Sequence, residues 1–231
     1  MTITIHPEVI QGENEWLRLR LGLQTASTMD LVLTPSLKIA SNAKEKAHIY
    51  ELVSQRVTQY VEPQFVSDAM LRGKTDEIDA RALYHKKYAK VREVGFITND
   101  WLGFPIGYSP DGLVGDDGLI EVKSRRQAIH METLLVDVPA QTCPTEFMLQ
   151  VQTGLLVSGR KWCDFLSYCG GLPMAVITVE PDPVYQEAII EAAAKFEARI
   201  NERVAQYKAL MRKRKIWRLT PTERRIIQEM F

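Results

Sequence analysis

The 231-residue sequence has little cysteine, no net charge and no long apolar run, and each absence removes a class of protein. Its three cysteines, Cys143, Cys163 and Cys169, are odd in number and show no Cys-x-x-Cys spacing. Neither a disulfide framework nor a zinc site is supported, and free thiols in a reducing compartment are expected. No stretch approaches the ~18 consecutive apolar residues of a membrane-spanning helix. Met1 to Glu15 lacks the basic start and apolar run of an export signal, so secretion is not expected and a cytoplasmic setting is. Repeats and low-complexity linkers are also missing. What remains is ordinary: 45% hydrophobic and 25% charged residues, which excludes collagen-like and disordered chains and suits one large domain. The 29 basic residues balance 29 acidic ones, which argues against a protein that coats nucleic acid indiscriminately. That balance hides an uneven distribution. Eight basic residues and one acidic residue lie between Lys208 and Arg225, while Asp111, Asp116, Asp117 and Glu121 crowd a segment whose nearby base is Lys123.

Hydrophobic periodicity predicts helices over 13–20, ending at Gly22, over 43–60, stopped by Pro63, and over about 65–89. Ser27 is a candidate N-cap for a further helix over 28–33. Short runs punctuated by Gly and Asp predict strands at 94–98, 103–109 and 119–123, with Gly115-Asp116-Asp117-Gly118 as a hairpin turn. A helix over 145–157 and strands at 162–168 and 174–179 follow. Ile189, Ala193, Phe196, Ile200, Val204, Tyr207 and Met211 recur at spacings of three and four, predicting one face of a long helix that runs to about Lys215. A last element is predicted from Thr220, with Pro221 at its first helical position and Glu223 closing a capping box. This order predicts an α/β fold in which helices flank a mixed central sheet. One domain over 1–231 is expected, with its core at about 13–180 and a C-terminal helical extension at about 184–231.

The sharpest chemical signal is Ser109-Pro110-Asp111-Gly112, followed nine residues after Gly112 by Glu121-Val122-Lys123. Alternation along a strand sends Ile120 and Val122 to one face and Glu121 with Lys123 to the other. The hairpin turn folds Asp111 back toward Glu121. Two converging carboxylates repel unless a cation neutralises them, and hard divalent cations such as magnesium favour such oxygen ligands. The Val122 carbonyl can add a further oxygen, and Lys123 supplies a fixed positive charge beside a reacting water. A Pro-Asp pair with a Glu-x-Lys triplet recurs by chance, so the surrounding residues matter. Glu77 lies on the preceding helix and can supply a third carboxylate. Gln150 and Gln152 lie on the following helix. Trp16, Arg18, Arg20, Gly22, Thr25 and Ser27 place basic groups and hydroxyls before a helix N-terminus, which suits a phosphate.

Taken in this order, the stretches resemble the phage lambda exonuclease family, the YqaJ-like viral recombinases of the PD-(D/E)xK nuclease superfamily. The matching residues are Trp16 through Ser27, Gly73-Lys74 with Glu77 and Asp79-Ala80-Arg81, Ser109 through Leu113, Glu121 to Lys123, and Gln150-Val151-Gln152. Ser124-Arg125 departs from the Cys-Pro that often follows the lysine. The resemblance implies a restriction-endonuclease-like fold and a metal-dependent 5′-to-3′ exonuclease. Such an enzyme degrades the 5′-ended strand of linear double-stranded DNA to mononucleotides and leaves a 3′ single strand for a single-strand annealing protein (Bet/RecT-like). It also implies roles. Asp111, Glu121 and the Val122 carbonyl bind Mg2+, two ions per site with Mn2+ able to substitute, and Glu77 completes the second ion's surroundings through water. Lys123 positions or activates the attacking water and Gln150 holds that lysine. Arg20, Ser27 and Ser109, with Thr25 and Gln152, make up the 5′-phosphate and DNA-binding set. Met70 and Leu71 stand where the family inserts an apolar wedge between bases, although two core residues of a helix fit equally. A homotrimeric ring around DNA and a phage or prophage gene expressed in a bacterial cytoplasm complete the expectation. Two other readings stay open at this level: a structure- or sequence-specific endonuclease of the same superfamily, and a non-catalytic module that binds DNA ends or a recombination partner. The intact Asp111, Glu121 and Lys123 speak against the module, because a scaffold needs none of them.

Overall fold

A computed structural model describes residues 2–63 and 67–224. In chain order the elements are β1 (Ile3–His6), α1 (Asn14–Arg20), β2 (Gln24–Thr25), a 3-10 helix (Ala26–Leu31), α2 (Ala43–Thr58), α3 (Asp68–Lys87), β3 (Val91–Arg92), β4 (Phe96–Asn99), β5 (Ile106–Tyr108), β6 (Gly112–Val114), β7 (Gly118–Ser124), α4 (Gln127–Glu132), a π-helical stretch (Thr133–Asp137), α5 (Val138–Ala140), α6 (Thr145–Ser158), β8 (Trp162–Tyr168), β9 (Ala175–Val179) and α7 (Pro183–Arg212). The expected α/β architecture with flanking helices is adopted, but the strands divide into two mixed sheets. One has the order β1-β4-β5-β2 and the other β3-β6-β7-β8-β9.

The β6–β7 hairpin sets the register that matters. Gly112 pairs with Ile120 and Val114 with Gly118, so Asp111, one residue before β6, stands beside Glu121. Gly115 in the turn has φ +52, a left-handed conformation that glycine adopts without a Cβ penalty. β7 then pairs in parallel with β8 from Gly118 to Ser124, so it lies inside the sheet and both its faces are covered. Ile120 and Val122 pack with Leu166 against Ala80 and Tyr84 of α3. Leu119 faces the larger core, where α6 contributes Leu149, Val151 and Leu155 and α7 contributes Ile189, Ala193, Phe196 and Ile200. Glu121 shares that face and is 2% exposed, so a carboxylate is embedded at the border of the main core. Tyr84 anchors α3 by donating its hydroxyl to Asp164 Oδ2 of β8 (2.5 Å), and Thr178 of β9 donates to the other carboxylate oxygen (2.6 Å).

Several expectations need correction. The helix expected over 28–33 is a 3-10 helix over Ala26–Leu31, and its N-cap is Thr25, whose side chain makes no capping bond; Ser27 is not a cap. Phe65, the expected start of the second long helix, lies outside the described residues, and α3 begins at Asp68 with Ser67 Oγ accepting from the Met70 N–H. The long C-terminal helix ends at Arg212, and residues 213–218 continue as turns. Thr220 to Arg224 have no regular structure, and the remainder of the predicted last element lies outside the described residues. The short strands β1, β2 and β3 and the helical segment 127–140 carry no periodicity long enough to read in advance. No helix among the described residues is long and apolar enough to cross a membrane.

Candidate active site

Glu121 is the hub. One carboxylate oxygen, Oε1, accepts from Lys123 Nζ (2.8 Å) and from the Gln150 side-chain amide (2.5 Å), while Oε2 accepts from the Tyr108 hydroxyl (2.9 Å). Gln150 Oε1 in turn accepts from Lys123 Nζ (3.0 Å), so lysine, glutamine and glutamate close a three-membered ring of hydrogen bonds. The alternation of β7 creates this arrangement, since Glu121 and Lys123 leave the strand on the same side. Phe147, one turn before Gln150 on α6, lies 5.2 Å below Lys123 Nζ and 4.8 Å from the Arg125 guanidinium. Arg125 also pairs with Glu146, and Ser124 donates its hydroxyl to Asp76 of α3.

Asp111 accepts the Val122 N–H through Oδ2 (2.6 Å), which holds the carboxylate against the strand that carries Glu121. The N–H and C=O of one strand residue leave the same edge, so the Val122 carbonyl is directed to the Asp111 side. Glu77, Ala80, Arg81 and Tyr84 occupy one face of α3, and Tyr84 and Ala80 press that face onto the sheet. Arg81 bonds Glu77 Oε1 (2.9 Å) and the Asp111 main-chain carbonyl (2.7 Å), and it pairs with Glu93 (3.2 Å). The arginine therefore ties the helix that bears the third carboxylate to the turn that bears the first.

The electrostatics of the cluster are those of an anionic pocket. Burial, together with Glu121 and Glu77, pushes the Asp111 carboxyl well above its usual range, against the opposing pull of Lys123 and the Val122 N–H. Glu77 is raised as well, by burial and then by Glu121 and Glu93, with Arg81 opposing. For Lys123, burial acts to lower the pKa, but Glu121, Asp111 and Glu77 outweigh it and the net direction is up. The donor set of carboxylate and backbone oxygens fits a hard divalent cation, and the mutual repulsion of the acids supplies the affinity. Among the described residues, no three His, Cys, Asp or Glu side chains close around one point. A cation here would complete its shell with backbone oxygen and water, as magnesium commonly does.

A pH dependence follows. In the cation-free protein Asp111 and Glu77 titrate above the roughly pH 4 of unfolded carboxyls. The folded state thus holds more protons in that window, and this contribution to stability is lost as pH rises from about 4 through the folded-state values. A cation must displace the same protons, so it should stabilise more at higher pH. Thermal melts in chelator and in magnesium across a pH series should show a magnesium-induced rise in Tm that grows with pH. A rise of constant size would detach these two carboxyls from the ion.

A second pocket adjoins the first. Ser109, two residues before Asp111, accepts at its hydroxyl oxygen from Trp16 Nε1 (2.8 Å) and from Arg20 Nη1 (3.4 Å). Arg20 also reaches Thr25 Oγ1 (3.5 Å) and stacks over the Trp16 ring, 4.2 Å from its centroid. Thr25 Oγ1 lies 3.3 Å from Ser27 Oγ and 3.2 Å from Thr28 Oγ1. Burial lowers the Arg20 pKa to about 10, with Glu51 of α2 opposing, so its charge persists at neutral pH in a partly desolvated place. A guanidinium among hydroxyls suits a phosphate. Thr25 is buried and Ser27 exposed, so Thr25 orients Arg20 and Ser27 from beneath.

The structure thus brings together Asp111, Glu121, Val122, Lys123 and Gln150, with Glu77 beside them and Arg20, Thr25, Ser27 and Ser109 adjoining. Gln152 does not join the set. It is fully buried, donates to the Glu180 carbonyl (2.8 Å) and accepts from the Asp182 N–H (2.9 Å), so it fastens the β9–α7 connection and cannot face DNA. Met70 and Leu71, at the start of α3, are 46% and 53% exposed, which removes the core alternative. Two participants carry no role on sequence grounds, Tyr108 and Arg81, and the bond from Trp16 to Ser109 is a contact that the sequence does not reveal. Arg81 lies four residues after Glu77, a helical pairing distance, and that spacing is a usable signal.

Residues 15–161 match the YqaJ-like viral recombinase domain family. Among solved structures, the chain is similar to an alkaline exonuclease (LHK-Exo) from Laribacter hongkongensis, at 32% identity and a TM-score of 0.75, over 87% of this chain and 99% of that one. The same exonuclease in complex with dAMP matches at 33% identity and a TM-score of 0.76, with the same coverage. A phage-related exonuclease from Haemophilus somnus shares the fold at 12% identity and a TM-score of 0.54, over 80% of this chain and 96% of that one. No curated protein sequence matches the chain.

Proposed function

Because the chain belongs to the YqaJ-like viral recombinase domain family, we propose that it is a nuclease acting on DNA whose finer activity is magnesium-dependent 5′-to-3′ exonucleolysis of linear duplexes. The observation that carries this reading is the direct linkage of two sites. The Asp111–Glu121–Lys123–Gln150 cluster is joined through Ser109-Pro110-Asp111 to the Arg20–Ser109 anion pocket. An endonuclease has no need of a terminal-phosphate pocket placed against its cutting centre.

Asp111, Glu121 and the Val122 carbonyl, with Glu77 through water, would hold the magnesium, two ions per site, and manganese would be accepted by the same hard oxygens. When bound, the metal lowers the pKa of the attacking water and offsets charge on the scissile phosphate. Arg20 and Ser109 receive the 5′-phosphate and fix the strand end. Lys123 keeps its proton among three carboxylates, so it serves as a fixed cation that orients the water and meets the negative charge that develops at the phosphate. Gln150 holds Lys123 in place and Tyr108 holds Glu121. Met70 and Leu71, exposed at the start of α3, are the apolar pair available to part the first bases. The 3′ strand left behind suits a single-strand annealing protein, and a ring of three subunits around the duplex would let digestion run on without dissociation.

One assay series tests the reading. With magnesium the protein should digest a linear duplex and leave a covalently closed circle intact, and chelator should stop digestion. Cutting of the closed circle would favour the endonuclease. A 5′-phosphorylated end should be degraded faster than a 5′-hydroxyl end, on the order of tenfold from one charge-assisted contact. Arg20→Ala should erase that difference while the 5′-hydroxyl rate changes little. Equal rates for both ends in the unmodified protein would remove the phosphate pocket.

A further inference from the structure

From the last residue of α7 onward the chain carries Arg212, Lys213, Arg214, Lys215 and Arg218, five cations in seven residues with no acid among them. Several other arginines are met by carboxylates, as Arg56 is by Glu197, Arg81 by Glu77 and Arg199 by Glu45. Among the described residues, no carboxylate lies within ion-pairing distance of any of these five. Between them sit Ile216, 76% exposed, and Trp217, 61% exposed, whereas the other three tryptophans are half-buried.

The segment has a defined shape. The Ile216 and Trp217 N–H groups bond back to the Lys213 carbonyl (3.0 and 3.3 Å). The Leu219 N–H reaches the Arg214 carbonyl (2.9 Å) outside an Arg218 N–H to Lys215 carbonyl bond (3.2 Å), the paired closure of a helix C-terminus. Arg218 occupies the left-handed position of that closure at φ 56, where glycine is the low-cost residue. Farther on, Arg224 lies 3.7 Å from the centroid of the Tyr60 ring, just past α2, the helix whose Glu51 acts on Arg20. The basic tail therefore returns along the helix that borders the strand-end pocket.

We propose that residues 212–218 form a binding site for single-stranded DNA, with Trp217 stacking on an unpaired base and the surrounding cations meeting its phosphates. Every unpaired base has a face to offer an indole, whereas a duplex offers one only at each end. The cation excess selects a polyanion over a protein or lipid apolar surface. The proposal rests on the reading that the protein leaves a single strand behind, which this segment would retain.

The test uses the full chain in chelator, so that no strand is cut, with a 5′-hydroxyl oligothymidine and a blunt 5′-hydroxyl duplex as probes. Trp217→Ala should weaken oligothymidine binding by ~5- to 150-fold, the span of one base–aromatic stack, while Trp217→Phe keeps most of it and the duplex is little affected. Lys213→Gln with Lys215→Gln should lower the slope of log affinity against log salt by ~0.7 for each phosphate no longer neutralised. Arg218→Gly should raise Tm and still weaken the single-strand complex. Initial digestion of saturating linear duplex in magnesium should be unchanged in Trp217→Ala. Oligothymidine binding equal to that of the parent in Trp217→Ala, or equal losses for strand and duplex, would overturn the proposal. A parent that binds oligothymidine as described yet cuts nothing in magnesium would instead overturn the nuclease reading and leave this site standing.

Discussion

Asp111→Asn should leave a folded protein that binds duplex ends and digests them slower by on the order of 10³-fold, the loss that follows removal of one preorganised electrostatic partner. The amide is chosen because it preserves shape. Its oxygen can still accept the Val122 N–H that Asp111 Oδ2 now accepts at 2.6 Å, so the β6–β7 junction need not move. What disappears is the negative charge at the point where burial and two further carboxylates make a bound cation most welcome. The same variant should melt higher than the parent in chelator, since a repelling charge has gone, and should gain less from added magnesium. Single-turnover digestion and melts with and without magnesium read both effects. Digestion at the parental rate would remove Asp111 from the chemistry.

Lys123→Met should cost on the order of 10²- to 10³-fold in turnover with little change in substrate affinity, because the charge is used where negative charge develops. Methionine keeps the length of the side chain and its packing over Phe147. It also leaves the 2%-exposed Glu121 without its cation, so destabilisation of several kcal/mol, about 3–5, should accompany the loss of rate. Gln150→Ala tests the geometry separately. It removes one acceptor from Lys123 and one donor to Glu121 but no charge, so a smaller loss, on the order of tenfold, is expected. A Lys123→Met protein that digests normally would exclude the fixed-cation role.

Much of this site is legible in the sequence because it is local. Glu121 and Lys123 share a face through strand alternation alone, and the Gly115-Asp116-Asp117-Gly118 turn returns Asp111 to them within one hairpin. Glu77 and Gln150 are placed by their helices and the resemblance, without distances. What sequence order does not reveal are the contacts that cross elements. Tyr108 reads as one more apolar strand residue, and only the approach of β5 in one sheet to β7 in the other shows that its hydroxyl ends on Glu121. Trp16 meets Ser109 across 93 positions of chain. Gln152 misleads for the complementary reason: a glutamine one step past a site residue looks exposed until the 180–182 backbone is seen wrapped around it. The division of the strands into two sheets is likewise hidden, because β1, β2 and β3 are too short to show alternation.

Ser109 and Asp111 are separated by one proline whose carbonyl is itself held by the Gln11 amide (3.0 Å). Two residues of extended chain reach at most ~7 Å, and the ring of Pro110 fixes one of the few torsions left. On the proposed reading, the gap between the grip on a strand's end and the blade is thus written into covalent bonds, as in a caliper locked at one setting. Such a tool would measure off the same length at every stroke, whatever the bases. Lengthening that short bridge is the change that would alter the size of the fragment more than the speed at which it is made.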